Sequence, residues 1–246
     1  MNHASALDPS CGNCSAVQAK LGKTNCSAGT STDAPPRPGH CPAGTQEQVV
    51  AGARTELAGD GEDARLARVA ARVEGLCYEK GVARWTRVED TIAFAKLMGY
   101  RKIGIATCIG LLDETHRLAQ VLEAQGLDPV SVCCKAGGTD KTALGIRDGD
   151  KIRPGTFEAA CNPIAQARVC NELKTDLNLI VGLCVGHDAL FNKHSEAPVT
   201  TLVVKDRVTG HNPVASLYGG HYYRRLRSPL PALQALRPAG TPPDGD

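Results

Sequence analysis

Lys102-Ile-Gly-Ile-Ala-Thr-Cys108 is an apolar run of strand length that ends on a cysteine. Two further runs have the same form. One is Asp128-Pro-Val-Ser-Val-Cys-Cys134, and the other is Leu177-Asn-Leu-Ile-Val-Gly-Leu-Cys184. A fourth run, Val199–Val204, leads into Lys205-Asp-Arg207. Helical signals lie between them. Leu112–Gln125 carries Leu118, Val121 and Leu122 at helical spacing and stops at Gly126. Cys161-Asn-Pro-Ile164 opens a helix, with Asn162 as its cap and Pro163 in the first turn. His187–Lys193 is short and helical, and Asn212-Pro213 starts a closing helix through Leu217. Strands spaced by helices make βαβ units and a mainly parallel sheet, with right-handed crossovers. The expected fold is α/β, Rossmann-like or flavodoxin-like, with about four core strands. If the chain reverses direction after the second strand, the first and third become neighbours. Their ends carry Cys108 and Cys184. The carboxyl ends of parallel strands meet at one edge, where ligands bind.

Outward from this core the pattern loosens. Residues 46–80 are helical by period, with Val49, Val50, Ala53 and Leu57 on one face and Leu66, Val69, Ala70, Val73 and Leu76 on the next. Thr86 and Glu89 form a capping-box pair, ahead of an inward face of Val88, Ile92, Ala95 and Met98. Residues 135–157 are rich in glycine and read as loop. Three regions follow: a cysteine-rich module over 1–45 with a Pro-rich loop, a helical lead-in plus α/β domain over 46–227, and a disordered tail over 228–246. The first module has almost no large apolar residues, so without a crosslink it cannot fold by itself.

Bulk composition narrows the function classes. The chain has 246 residues and a formal net charge of +2, too balanced to call for a polyanionic partner. Aromatic residues are only 4%, which leaves little for base stacking, so nucleic acid is not expected. The first ten residues lack a basic segment followed by an apolar core, so no secretory signal is expected. No stretch reaches the ~18 apolar residues that span a bilayer. A cytoplasmic location and reduced thiols follow as expectations. The eleven cysteines then fit metal ligands and free thiols better than a disulfide framework.

Three constellations carry chemistry. Cys11-x-x-Cys14 with Cys26 and Cys41 offers four ligands for zinc, or equally for an iron–sulfur cluster, and His40 can stand in for one. Cys108, Cys133, Cys134, Cys161 and Cys184, with His187 and His211, gather at the expected sheet edge. Adjacent strand residues face opposite ways, so only one of Cys133 and Cys134 should reach it. The third set is His187-Asp188, Lys205-Asp206-Arg207 and His211. Asp188 and Asp206 can orient a histidine, and Lys205 and Arg207 can hold a small anionic ligand. Cys77 and Cys170 fall in helical stretches and read as packing. Neither a phosphate loop nor a His-Glu-x-x-His motif is present.

Several of these segments together have a family resemblance. They are Trp85-Thr-Arg-Val-Glu89, Cys108-Ile-Gly110, Val132-Cys-Cys-Lys135 and Cys161-Asn-Pro-Ile-Ala-Gln166, then Gly182-Leu-Cys-Val-Gly-His-Asp188, Val204-Lys-Asp-Arg-Val208 and Gly210-His-Asn-Pro213. They resemble a prokaryotic family known as domain of unknown function 1847, often labelled metal-binding. The resemblance runs from about Cys11 to Leu217. It implies metal binding with cysteines as ligands and supplies no reaction. This chain departs from the family in its amino-terminal part, where a Ser/Thr/Pro insertion stretches the cysteine spacing. The expected function is a cysteine-rich metal-binding protein, with zinc or an iron–sulfur cluster at a redox-capable thiolate site. Two alternatives stand beside it. One is a cysteine-dependent enzyme drawing on Cys184, His187, Asp188, Lys205 and Asp206. The other is a metal carrier or sensor without catalysis.

Overall fold

The computed structural model describes residues 8–13, 38–230 and 236. The chain divides into two units, Met1–Leu76 and Cys77–Asp246. In the first, Cys11–Asn13 forms a 3₁₀ turn and Pro42–Thr45 a single helical turn. Ser10 N–H donates to His40 O at 3.4 Å, which sets the segments bearing Cys11 and Cys41 side by side. Cys14 and Cys26 lie outside the described residues. Two helices follow, α1 over Glu47–Ala58 and α2 over Glu62–Cys77. Their existence follows the helical period; the expected face of α1 is exposed, while on the expected face of α2 Val73 is buried and Leu66 and Val69 half-buried. Val49, Val50, Ala53 and Leu57 of α1 are all exposed, and so is Leu76 of α2. The buried positions of α2 are Ala64, Val73 and Cys77. Periodicity marks α1 as a helix, yet the helix buries none of its residues.

The second unit opens with a hairpin that the sequence reading missed. Its strands are β1 (Tyr78–Glu79) and β2 (Val82–Ala83), turned at Lys80-Gly81. Helix α3 (Arg87–Met98) starts in the expected capping box, in which Thr86 and Glu89 each bond the other's backbone N–H. It stops at left-handed Gly99. Then come β3 (Lys102–Thr107), α4 (Leu112–Ala124), β4 (Asp128–Cys133), α5 (Pro163–Glu172), β5 (Leu177–Val181), α6 (His187–His194) and β6 (Val199–Val203). Two short helices close the described part: α7 (Val214–Tyr218) and the unexpected α8 (Gly220–Arg227).

The sheet order is β4-β3-β5-β6 and every pairing is parallel. The chain therefore reverses direction after β4, and β3 and β5 are neighbours at the reversal point, as the runs ending in Cys108 and Cys184 suggested. Alternation along β3 divides the interior into two cores. Ile103 and Ile105 pack with Leu118 and Leu122 of α4 and Leu177 and Leu179 of β5. Ala106 packs with Ala167 and Cys170 of α5 and Phe191 of α6. Val121 of α4 is exposed rather than inward. Gly104 lets α5 close down: a Cβ there would stand 2.0 Å from Asn178 Oδ1 and 2.9 Å from Cys170 Sγ. Among the described residues no helix is long and apolar enough to cross a membrane.

Candidate functional site

Three backbone hydrogen bonds continue the ladder past the strand ends. Cys108 N–H donates to Val181 O at 3.1 Å, Cys134 N–H to Thr107 O at 2.8 Å, and Gly182 N–H to Val203 O at 2.8 Å. The residues that follow β3, β4 and β5 are thus delivered to one edge. Cys161 reaches the same edge by another route. The chain leaving Cys134 loops out and returns as a two-stranded stem, with Ala160 N–H donating to Thr139 O at 2.7 Å and Lys141 N–H to Glu158 O at 3.0 Å. An isolated bridge joins Asp140 and Ala159. Asn162 N–H then donates to Cys134 O at 2.8 Å, which pins the return.

The result is a sulfur pair. Cys134 Sγ and Cys161 Sγ are 3.7 Å apart. Cys134 is buried and Cys161 half-buried. Ile109 N–H points at Cys134 Sγ from 3.4 Å. The hydrogen bond from Cys134, then the positive charges of Lys135 and His187, hold the Cys161 thiol well below its usual range. The same contact, with burial, pushes Cys134 up. One sulfur is thus favoured as thiolate and the other as its proton donor. Cys133 lies just off this pair, with Lys135 N–H near its sulfur at 3.5 Å. Only Cys134 meets Cys161, and it does so because β4 has already ended at Cys133.

The other two thiols each meet a cation. Lys205 Nζ lies 3.5 Å from Cys108 Sγ, and Arg207 Nη2 lies 3.0 Å from Cys184 Sγ. The run after β6 therefore brings two cations against the thiols, although Arg207 itself stays exposed. Asp188 and Asp206 spend their carboxylates on their own turns. Asp188 accepts from Gly186 and Ala189 N–H, and Asp206 from Val208 and Thr209 N–H. His211 holds a left-handed backbone with φ of 67°, and its Nδ1 accepts from Asp206 N–H at 3.2 Å. Its place is in the loop that presents Lys205 and Arg207. His187, at the start of α6, is half-buried and close enough for its charge to act on Cys161.

Gln166 was not foreseen as part of the site. It is fully buried, and its Nε2 donates to Thr107 O at 3.1 Å and Val132 O at 2.6 Å. It ties the first turn of α5 to the ends of β3 and β4, so it fixes where Cys161 stands relative to Cys134. Cys170 and Cys77 are buried packing residues, as expected. Burial alone pushes Cys170 up to about 11, which keeps it a protonated thiol. Among the described residues, no three His, Cys, Asp or Glu side chains already stand together as a metal-ligand set.

The comparisons with known proteins bear on this arrangement. No solved structure matches the chain. It is 48% identical over 165 residues to the "Uncharacterized protein MJ0455" of Methanocaldococcus jannaschii, which covers 67% of this chain and 81% of the relative. The signature of the family described as "Protein of unknown function (DUF1847)" matches residues 41–202, a span that includes β3, β4, β5 and Cys108, Cys133, Cys134, Cys161 and Cys184. The chain belongs to the DUF1847 family.

Proposed function

We propose that the carboxyl edge of the sheet is a thiolate centre for a thiophilic metal, either zinc or an iron–sulfur cluster. Cys134 and Cys161 would anchor it, with Cys108 and Cys184 completing the donor set. The observation that carries this reading is the 3.7 Å sulfur contact at an edge where two more thiols arrive. Two thiolates on one tetrahedral zinc ion, with Zn–S of ~2.3 Å, lie ~3.8 Å apart. The charges also suit. Four thiolates around one divalent ion leave a formal charge of about −2, and Lys205 and Arg207 each lie against one of the outer sulfurs. Cys108 and Cys184 are turned toward those cations and would have to leave them to join the pair. His187 would tune such a centre as a neighbour, not anchor it. The amino-terminal cysteines are proposed as a second, structural site. The adjacency of Ser10 and His40 supports this, as does the buried His40 Nε2, which has no partner among the described residues.

Anaerobic purification of the full chain, with metal analysis and an absorption spectrum, tests the reading. We expect bound zinc, or iron with sulfide and visible absorption. Cys134→Ser and Cys161→Ser should lose the edge metal, Cys108→Ser and Cys184→Ser should retain it more weakly, and Cys170→Ser should match wild type. Equal metal content across all five variants sinks the edge site. A metal carrier or sensor is distinguished from an enzyme by exchange with a chelator that alters no small molecule.

A further inference from the structure

We propose that Cys134 and Cys161 are also a thiol–disulfide exchange couple, with Cys161 as the attacking sulfur and Cys134 as the resolving one. This goes beyond the metal reading and does not depend on it. Three observations carry it. The sulfurs are already in contact at 3.7 Å, and a disulfide needs ~2.0 Å, so they close by less than ~2 Å. Their exposures are unequal. Cys161 is partly open to solvent, while Cys134 is only 2% exposed. An incoming disulfide can reach the first and not the second. The backbone on both sides is also fixed. The Thr139–Ala160 bond, the Asn162–Cys134 bond and the Gln166 bonds to Thr107 and Val132 hold the two sulfurs in register while one of them reacts. Cys134 and Cys161 are the edge thiols in sulfur–sulfur contact, whereas Cys108 and Cys184 meet Lys205 and Arg207 and Cys133 meets the Lys135 N–H.

The co-reactant is a low-molecular-weight disulfide, RS–SR. The Cys161 thiolate attacks one of its sulfurs, the RS–SR bond breaks, and one RS⁻ leaves and takes up a proton. A mixed disulfide now joins Cys161 to R. Cys134 gives up its proton and attacks Cys161 Sγ. The mixed disulfide breaks, the second RS⁻ leaves and is protonated, and a Cys134–Cys161 bond remains. Two protein thiols have lost two electrons and two protons, and RS–SR has become two RSH. The Ile109 N–H at 3.4 Å steadies the Cys134 sulfur while it carries negative charge.

The experiment uses the full chain, stripped of metal by a chelator and then exposed to oxidised glutathione. Intact mass and non-reducing peptide mapping follow the products. Wild type should lose two hydrogen atoms and yield a Cys134–Cys161 crosslink. Cys134→Ser, and Cys134→Ala as a second variant, should accumulate a mixed disulfide on Cys161. Cys161→Ser should acquire an adduct at Cys134 at least about tenfold more slowly. If wild type first crosslinks a different pair, or if both Cys134 variants leave Cys161 unmodified, the couple is overturned. A chain that holds metal but never exchanges overturns the couple and leaves the metal reading standing. A chain that exchanges but holds no metal supports the couple and removes the metal reading.

Discussion

Gly182 stands just past the end of β5 with φ of 67°, and a Cβ built on it would lie 1.9 Å from Leu111 Cδ1 and 3.6 Å from Lys205 Cδ. Both the backbone and the space demand glycine there. Gly182→Ala should therefore cost roughly 2–4 kcal/mol, by left-handed strain plus overpacking. Urea unfolding would read the loss, and a variant as stable as wild type would show that Leu111 yields freely. Leu111 and Lys205 frame the thiols, so the same substitution should also move Lys205 off Cys108. At this scale the sequence was legible in part. Cys108, Cys134 and Cys184 could be named from short apolar runs ending in cysteine, and Cys161 from the helix start that follows it. Which of Cys133 and Cys134 would meet Cys161 could not, because alternation holds only inside a strand and β4 stops at Cys133. Gln166 was equally hidden. A glutamine in the first turn of a helix looks like a solvated residue until its bonds to two strand ends are seen.

The loop between Cys134 and Cys161 is held by charge at its base. Lys151 is buried, with Nζ 3.1 Å from Asp140 Oδ1, 3.0 Å from Asp148 Oδ1 and 2.9 Å from Thr156 O. Asp140 also accepts from the Thr142 hydroxyl and from the Thr142 and Glu158 N–H groups, which hold its carboxyl below the usual range. A carboxyl depressed on folding stabilises in full above its unfolded value of about 3.9 and loses that contribution as pH falls through the lower folded value. The loop should therefore stay closed at pH 7 and pH 5 alike and open only in stronger acid. Hydrogen exchange at Lys141 and Ala160 N–H, corrected for intrinsic rate, checks this. Protection that fades between pH 7 and pH 5 would contradict it. Asp140→Asn should weaken protection at every pH. Glycines marked these residues as loop, yet the closure pairs Asp140 with Ala159, a non-local contact that no local periodicity encodes. The strands and their intervening helices were legible for the opposite reason. Each is a continuous segment whose own pattern declares it.

Across the whole molecule, the arrangement of the site is a result of topology. Four parallel strands with a reversal between β3 and β5 send chain segments far apart in sequence to one edge. The sulfurs come from three strand ends and one returning loop, and the cations from the segment after β6. The strand order was legible because crossover handedness and strand count leave few choices. The charge pairing was not, because Lys205-Asp206-Arg207 has the composition of an ordinary surface run. The stem has one more effect, on the unfolded chain rather than the folded one. It brings together two thiols 27 positions apart. Linking them covalently would close a loop of about that size and remove ~3–4 kcal/mol of chain entropy from the denatured ensemble. The oxidised chain should then melt roughly 10 °C above the reduced one, as differential scanning calorimetry can measure. Equal melting points would mean that the unfolded chain already keeps the stem. The redox state of one cysteine pair would thus govern how long the protein survives a protease.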